Sequence, residues 1–155
     1  LNVGRGWNEI VRYAEILKED AKPAGLIVNI KTMPNSQYWE KWTEVDFGIT
    51  PWTHRPLGTM VLNLADKADA DGNPVAWNET RWVDDEFSQI LEKANGILDV
   101  EERRKLFCKL QKIQYDRGSI GIGYWRAVWM VARSNVKGLE GHPNGFMLFN
   151  DLSLA

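Results

Sequence analysis

Cysteine, histidine and net charge are all scarce in this sequence. The lone cysteine, Cys108, excludes an internal disulfide and leaves the redox compartment open. The two histidines, His54 and His142, stand far apart, and neither H-x-x-x-H nor C-x-x-C occurs, so the usual metal-ligand spacings are missing. Neither a metal nor another cofactor is expected. Lys plus Arg number 19 against 21 for Asp plus Glu, a net charge of −2. That balance lacks the basic excess that a nucleic-acid partner normally leaves, and no such partner is expected. No apolar run approaches the roughly 18 residues of a membrane span. No secretory signal is legible, although a start at Leu1 rather than Met leads one to expect that an upstream segment was removed.

The motifs of common catalytic sites are missing as well. There is no G-x-x-x-x-G-K-[ST] phosphate loop, no G-x-G-x-x-G fingerprint and no G-x-S-x-G elbow. A Ser-His-Asp triad needs no sequence neighbours and so survives these absences. The adjacent Asp84 and Asp85 read as helix-start residues rather than a glycosidase pair. The acidic stretch DKADADGNP fails the calcium-loop pattern at both ends, with Lys67 at the first position and Asn78 at the twelfth. Nothing positive for catalysis remains, and the protein is not expected to be an enzyme.

Tryptophan, by contrast, is abundant: eight residues, at 7, 39, 42, 52, 77, 82, 125 and 129. Its large ring and single donor suit places where one face packs and the other meets a ligand.

Apolar residues at helical spacing (Trp7, Ile10, Val11, Ala14, Leu17) predict a helix over 6–21 with Trp7 in its core stripe, ended by Pro23 and Gly25. LIVNIKT (26–32) predicts a strand, Pro34 opens a short helix through Trp39 and Trp42, and VDFGIT (45–50) predicts a second strand. This alternation is that of an α/β layer structure with parallel strands. A short helix is expected over 57–65, followed by a surface loop over 66–74. Two clear helices follow, capped by Asp84 and by the Asp99/Glu102 pair; the second carries Leu106, Phe107, Leu110 and Ile113 inward, with Cys108 close to that face as an inert buried thiol. SIGIGYW, VWMVA and GFMLFND predict strands. The whole chain, 1–155, reads as one α/β domain.

Two loops stand out. PWTHRP (51–56) is held stiff by prolines at both ends and follows directly on a predicted strand, the position where open α/β sheets place ligands. VAWNETRW adds Trp77, Asn78 and Arg81. Apolar walls with a few placed polar groups are the ordinary make-up of a small-molecule site. Arg55 has the planar fork that clamps carboxylates or phosphates, and His54 adds a second polar group. Asn78-Glu79-Thr80 also matches a glycosylation acceptor.

Four stretches, taken in order, carry a resemblance over nearly the whole chain. They are AKPAGLIVNIK; FGITPWTHRP; the long run from WNETRW through DVEERRK to YDRG; and RSNVKGLEGHPNG to the end. Together they resemble the carboxy-terminal lobe of extracellular solute-binding proteins of the peptide/opine/nickel family, which serve ABC importers. The resemblance implies part of one lobe of a two-lobed fold, a mixed sheet flanked by helices. It further implies that the amino-terminal lobe of the same chain completes an interlobe cleft. Hinge closure would trap a small solute, peptide-like or otherwise polar, for delivery to the transmembrane subunits of a permease. Location would be periplasmic or extracellular, with membrane anchoring through a missing amino terminus as one arrangement. Matched position by position, Trp52 and Thr53 fall in the cleft loop, Asn78 beside Trp77 in a ligand-facing loop, and Tyr124 on a late strand facing the cleft.

One departure bears on the ligand. Peptide-binding members carry an Asp shortly after the loop Trp, where it pairs with the peptide's amino group. Here Thr53, His54, Arg55 and Pro56 follow Trp52, and no acid occurs until Asp66. With Arg55 in that place, a neutral or anionic ligand is expected rather than a free peptide. The competing readings are a stand-alone carbohydrate-binding module, suggested by the tryptophans, and a hydrolase built on His54.

Overall fold

The computed structural model describes residues 1–142 and 144–155. Among the described residues the chain forms a small mixed α/β fold of five α-helices and short sheets. At its amino-terminal end β1 (Asn2–Gly4) runs into α1 (Asn8–Ala21), which returns to β2 (Lys31–Met33). β1 and β2 are parallel, with Val3 opposite Thr32. The next helix, α2 (Asn35–Lys41), leads to a third parallel segment on the other side of β1, reduced to a bridge between Asn2 and Gly48. The Asn2 amide donates to the Phe47 carbonyl at 2.8 Å, and the Ile49 amide to the Asn2 carbonyl at 3.3 Å. β1 is therefore central, and the chain exits from it first to one side and then to the other. A crevice opens outside the carboxyl ends of the strands at such a reversal, and PWTHRP begins three residues past the bridge.

The apolar spacing of α1 does what it predicts in part. Ile10 and Ala14 pack on Val3 to make one core, with Val11, Ile30 and Ile49 at its edge. Trp7, expected in that stripe, sits instead at the position before the helix, 37% exposed, with the Arg126 guanidinium 4.8 Å from its ring centroid.

A second core lies in the helical part. α3 (Gly58–Ala65) leads to α4 (Asp85–Asn95) and α5 (Val100–Arg117), and Phe87, Leu91, Leu110 and Ile113 are buried where the last two pack. Both start as the sequence predicts. An Asp84 Oδ1 accepts from the Phe87 amide at 2.8 Å, and an Asp99 Oδ1 from the Glu102 amide at 2.9 Å, each satisfying an amide that a helix start leaves orphaned. Cys108 is exposed, not buried: Leu110 lies about 200° further round the helix, so the face that buries Leu110 turns Cys108 to solvent.

Other expectations need correction. The 26–32 strand contracts to β2, and the 45–50 strand to its single bridge, because among the described residues only β1 pairs with either. SIGIGYW, VWMVA and GFMLFND form no strand; residues such as Ile122, Trp125, Val131 and Phe149 stand exposed with no sheet beside them. The last sheet is a two-residue antiparallel pair, β3 (Val136–Lys137) with β4 (Ser153–Leu154). Gly138 follows β3 at φ +75°, where a Cβ would lie 1.9 Å from the Asp151 carbonyl oxygen, so only glycine fits. The 66–74 loop is not wholly on the surface. Ala68 bridges Pro74, and Asp66 is 3% exposed.

Candidate functional site

Three tryptophans from three segments meet. Trp42 follows the end of α2, Trp52 lies in the proline-bounded loop, and Trp77 precedes α4. Their ring centroids form a nearly equilateral triangle of 6.1, 6.1 and 6.2 Å, every pair edge to face. Trp39 extends the group, 5.6 Å from Trp42. Edge-to-face contact sets the positive rim of one ring against the negative face of the next, which holds all three in place. Trp77 remains 48% exposed.

Glu79 anchors one member of the triangle. Its Oε1 accepts from the Trp52 indole N–H at 2.9 Å, and its Oε2 accepts from the Thr50 hydroxyl. With its single proton engaged there, the Thr50 oxygen accepts from the Tyr38 phenol at 2.9 Å. Tyr38 is 1% exposed, and burial raises its pKa. The chain Tyr38–Thr50–Glu79–Trp52 thus runs from α2 through the end of the third parallel segment into the loop before α4.

Asp66, at the end of α3, lies near Glu79. Burial pushes its carboxyl up to about 6; the Gln114 amide beside it works the other way, and the Glu79 charge adds to the rise. Neither the nitrogen nor the oxygen of the buried Gln114 amide completes a hydrogen bond.

The sequence-predicted residues fall into three groups. Trp52 and Trp77 come together as described. Thr53 and His54 are exposed on the rim beside a half-buried Arg55, whose guanidinium folds back on its own loop, donating to the Thr53 and His54 carbonyls at 3.2 Å each and to the Thr53 hydroxyl. Among the described residues no hydrogen bond or ion pair joins the His54 side chain to a Ser, Asp or Glu. Asn78, expected to face a ligand, is 2% exposed and turned inward. Its amide donates to the Trp82 carbonyl at 2.7 Å, and its Oδ1 accepts from the Thr80 hydroxyl at 3.1 Å. An Asn enclosed in this way also has no access as a glycosylation acceptor. Tyr124 stands apart from the triangle, its ring edge to face with Tyr13 of α1 at 5.3 Å, on an open groove lined by Glu9 and residues 124–129.

Sequence reasoning missed Tyr38, Thr50, Glu79, Asp66 and Gln114. Glu79 was legible only as the middle of a short Asn-x-Thr pattern, and nothing in the sequence linked it to Trp52, 27 positions away. Asp66 was hidden by the composition of its loop.

Among the described residues, no group of three or more His, Cys, Asp or Glu could hold a metal ion, and no helix is long and apolar enough to cross a membrane. No family model matches the chain, and no curated protein matches it. Among solved structures, the chain is similar to HbpA2 from Haemophilus parasuis, with a TM-score of 0.70 and 20% identity. The likeness covers 99% of this chain and 31% of that one, so the chain spans about a third of the structure it matches and shares its fold over that part.

Proposed function

We propose that the chain is part of the carboxy-terminal lobe of a two-lobed solute-binding protein of an ABC importer, capturing a small polar solute for a membrane permease. The observation that carries this reading is the tryptophan triangle at the strand reversal. Flat apolar rings, one of them half exposed, pack edge to face, with Trp52 anchored by Glu79, at the place where α/β sheets open their ligand crevice. Four sequence stretches in family order support it. So does a fold likeness in which this chain corresponds to about a third of a larger molecule. The rim residues Thr53, His54 and Arg55 would then face the amino-terminal lobe across the cleft, in a periplasmic or extracellular setting.

A lobe of this kind contributes half of a binding surface, and rigid presentation lowers the ordering cost of binding. The test is made on the native gene product. Its intact mass is expected to be several times 17.8 kDa, and X-ray scattering is expected to show compaction on adding a solute that raises its melting temperature. A native product of this chain's own mass, or hydrolysis of an ester or peptide that is lost in His54→Ala, would overturn the reading.

A further inference from the structure

We propose that the outer faces of Trp52 and Trp77, with Glu79 at the edge of the Trp52 ring, form a subsite for an alkylated ammonium group. The inference rests on the solute-binding reading and gives it a ligand class. It also reverses the neutral-or-anionic expectation that Arg55 suggested.

Three observations lead to it. Charge comes first. Glu79 and the nearly buried Asp66 lie close enough for the charge of one to raise the pKa of the other, yet among the described residues neither forms an ion pair. The guanidinium groups on the two loops do not reach these carboxylates. Arg55 caps its own loop's carbonyls, and Arg81 donates to the Thr43 carbonyl at 2.9 Å and stands 3.6 Å from Asp46. Two neighbouring carboxylates with no ion-pair partner among the described residues favour a cation beside them over an anion.

The second observation is aromatic. A cation over an indole face within about 6 Å of the ring centroid is attracted by the ring quadrupole. The Trp52 N–H donates to a carboxylate, which pushes electron density into the ring and strengthens that attraction. Centroids about 6 Å apart leave no room for a cation between the rings, so the outer faces are the surface that binds.

Third, both Glu79 oxygens already accept a hydrogen bond, one from Trp52 and one from Thr50. The carboxylate therefore offers a ligand charge rather than a free directional acceptor. That suits a cation sheathed in methyl groups better than a primary amine, which needs acceptors for its N–H bonds.

The test compares choline with its neutral isostere 3,3-dimethylbutan-1-ol, following the indole N–H resonances of the protein by NMR, with Trp52 assigned from Trp52→Phe. Choline is expected to shift the Trp52 resonance saturably at millimolar concentration, at least tenfold more tightly than the isostere. In Glu79→Gln, which keeps an acceptor oxygen for the Trp52 N–H, choline affinity is expected to fall about fivefold, the equivalent of roughly 1 kcal/mol for one nearby charge in water. Equal binding of the two probes, no shift at Trp52, or unchanged affinity in a folded Glu79→Gln protein would each overturn the proposal. The comparison between probes in the unmutated protein keeps the test valid even if the variant fails to fold. Saturable binding of a neutral solute with compaction, and none of choline, would remove the cation class and leave the solute-binding reading standing.

Discussion

The Trp52 indole N–H and the Glu79 carboxylate, 2.9 Å apart, join the loop at the end of the parallel strands to the loop that enters the helical core. The contact also takes in Thr50 and, through it, the buried Tyr38.

Glu79→Ala should therefore destabilise more than an exposed carboxylate normally would. It leaves the Trp52 N–H and the Thr50 hydroxyl without an acceptor in a half-buried place, where each unsatisfied group costs about 1–3 kcal/mol. Urea denaturation should show a loss of about 2–4 kcal/mol, with Glu79→Gln recovering a large part because its amide oxygen still accepts. Equal losses in the two variants would mean that the hydrogen bonds do not hold the loops together.

Asp84 serves two groups at once. Its Oδ1 caps α4 through the Phe87 amide, and its Oδ2 accepts from the Arg117 Nε–H at 2.5 Å, tying the start of α4 to the end of α5. Arg117 first, and the Phe87 amide with it, hold the Asp84 pKa below the usual carboxylate range. Asp84→Ala should cost about 1–2 kcal/mol, most of it the lost cap. A carboxylate with a lowered folded-state pKa contributes stability that is present above its unfolded value and disappears as pH falls through the folded one. The gap between Asp84→Ala and the unmutated protein, measured by urea denaturation, should hence begin to narrow below about pH 4 and go on narrowing as pH falls through the lower folded-state value. A gap that persists there would assign the cost to packing.

Cys108 provides a direct check on the register of α5. The helix turns Leu110 and Ile113 inward and Cys108 outward. Under native conditions a thiol reagent should label one equivalent per chain at the rate of a free exposed cysteine, unfolding adding no further reaction. Protection until denaturant is added would mean that another surface covers this face.

How much of this was legible in the sequence depended on how local the cause was. Asp84 and Asp99 marked their helix starts correctly, since a cap acts over three residues and needs no distant partner. Pro34 and much of the apolar spacing of α1 and α5 were legible for the same reason. Strands were not. VDFGIT and LIVNIKT have the composition of strands, but a strand exists only where another pairs with it, and the three-residue β1 was too short to be noticed. The site divides along the same line. Trp52 and Trp77 drew attention through their loops, whereas Glu79 and Asp66 matter because of neighbours 27 positions away or on another helix. Asn78 showed the converse, a polar residue in a promising loop that folding turned inward.

Asp66 makes the pH dependence of the fold testable. An ordinary aspartate ionises near 3.8, and burial moves this one up to about 6. Between those values the folded chain binds its proton more tightly than the unfolded chain does. Stability therefore falls as pH rises from about 4 to about 6, by roughly 3 kcal/mol if the full shift is realised, and changes no further above that from this group. The direction is opposite to that of Asp84, whose contribution is lost only at lower pH. Asp66→Asn removes the ionisation and leaves an amide of the same shape beside Gln114, so its advantage should be absent at pH 4 and reach about 1–3 kcal/mol at pH 8. The measurement is a series of urea midpoints from pH 4 to 8 on both proteins. If bound cations neutralise Asp66 together with Glu79, a saturating alkylammonium salt should flatten the slope of the unmutated protein and leave that of Asp66→Asn unaltered. Parallel curves for the two proteins without ligand would mean that the carboxyl reaches water in the folded state.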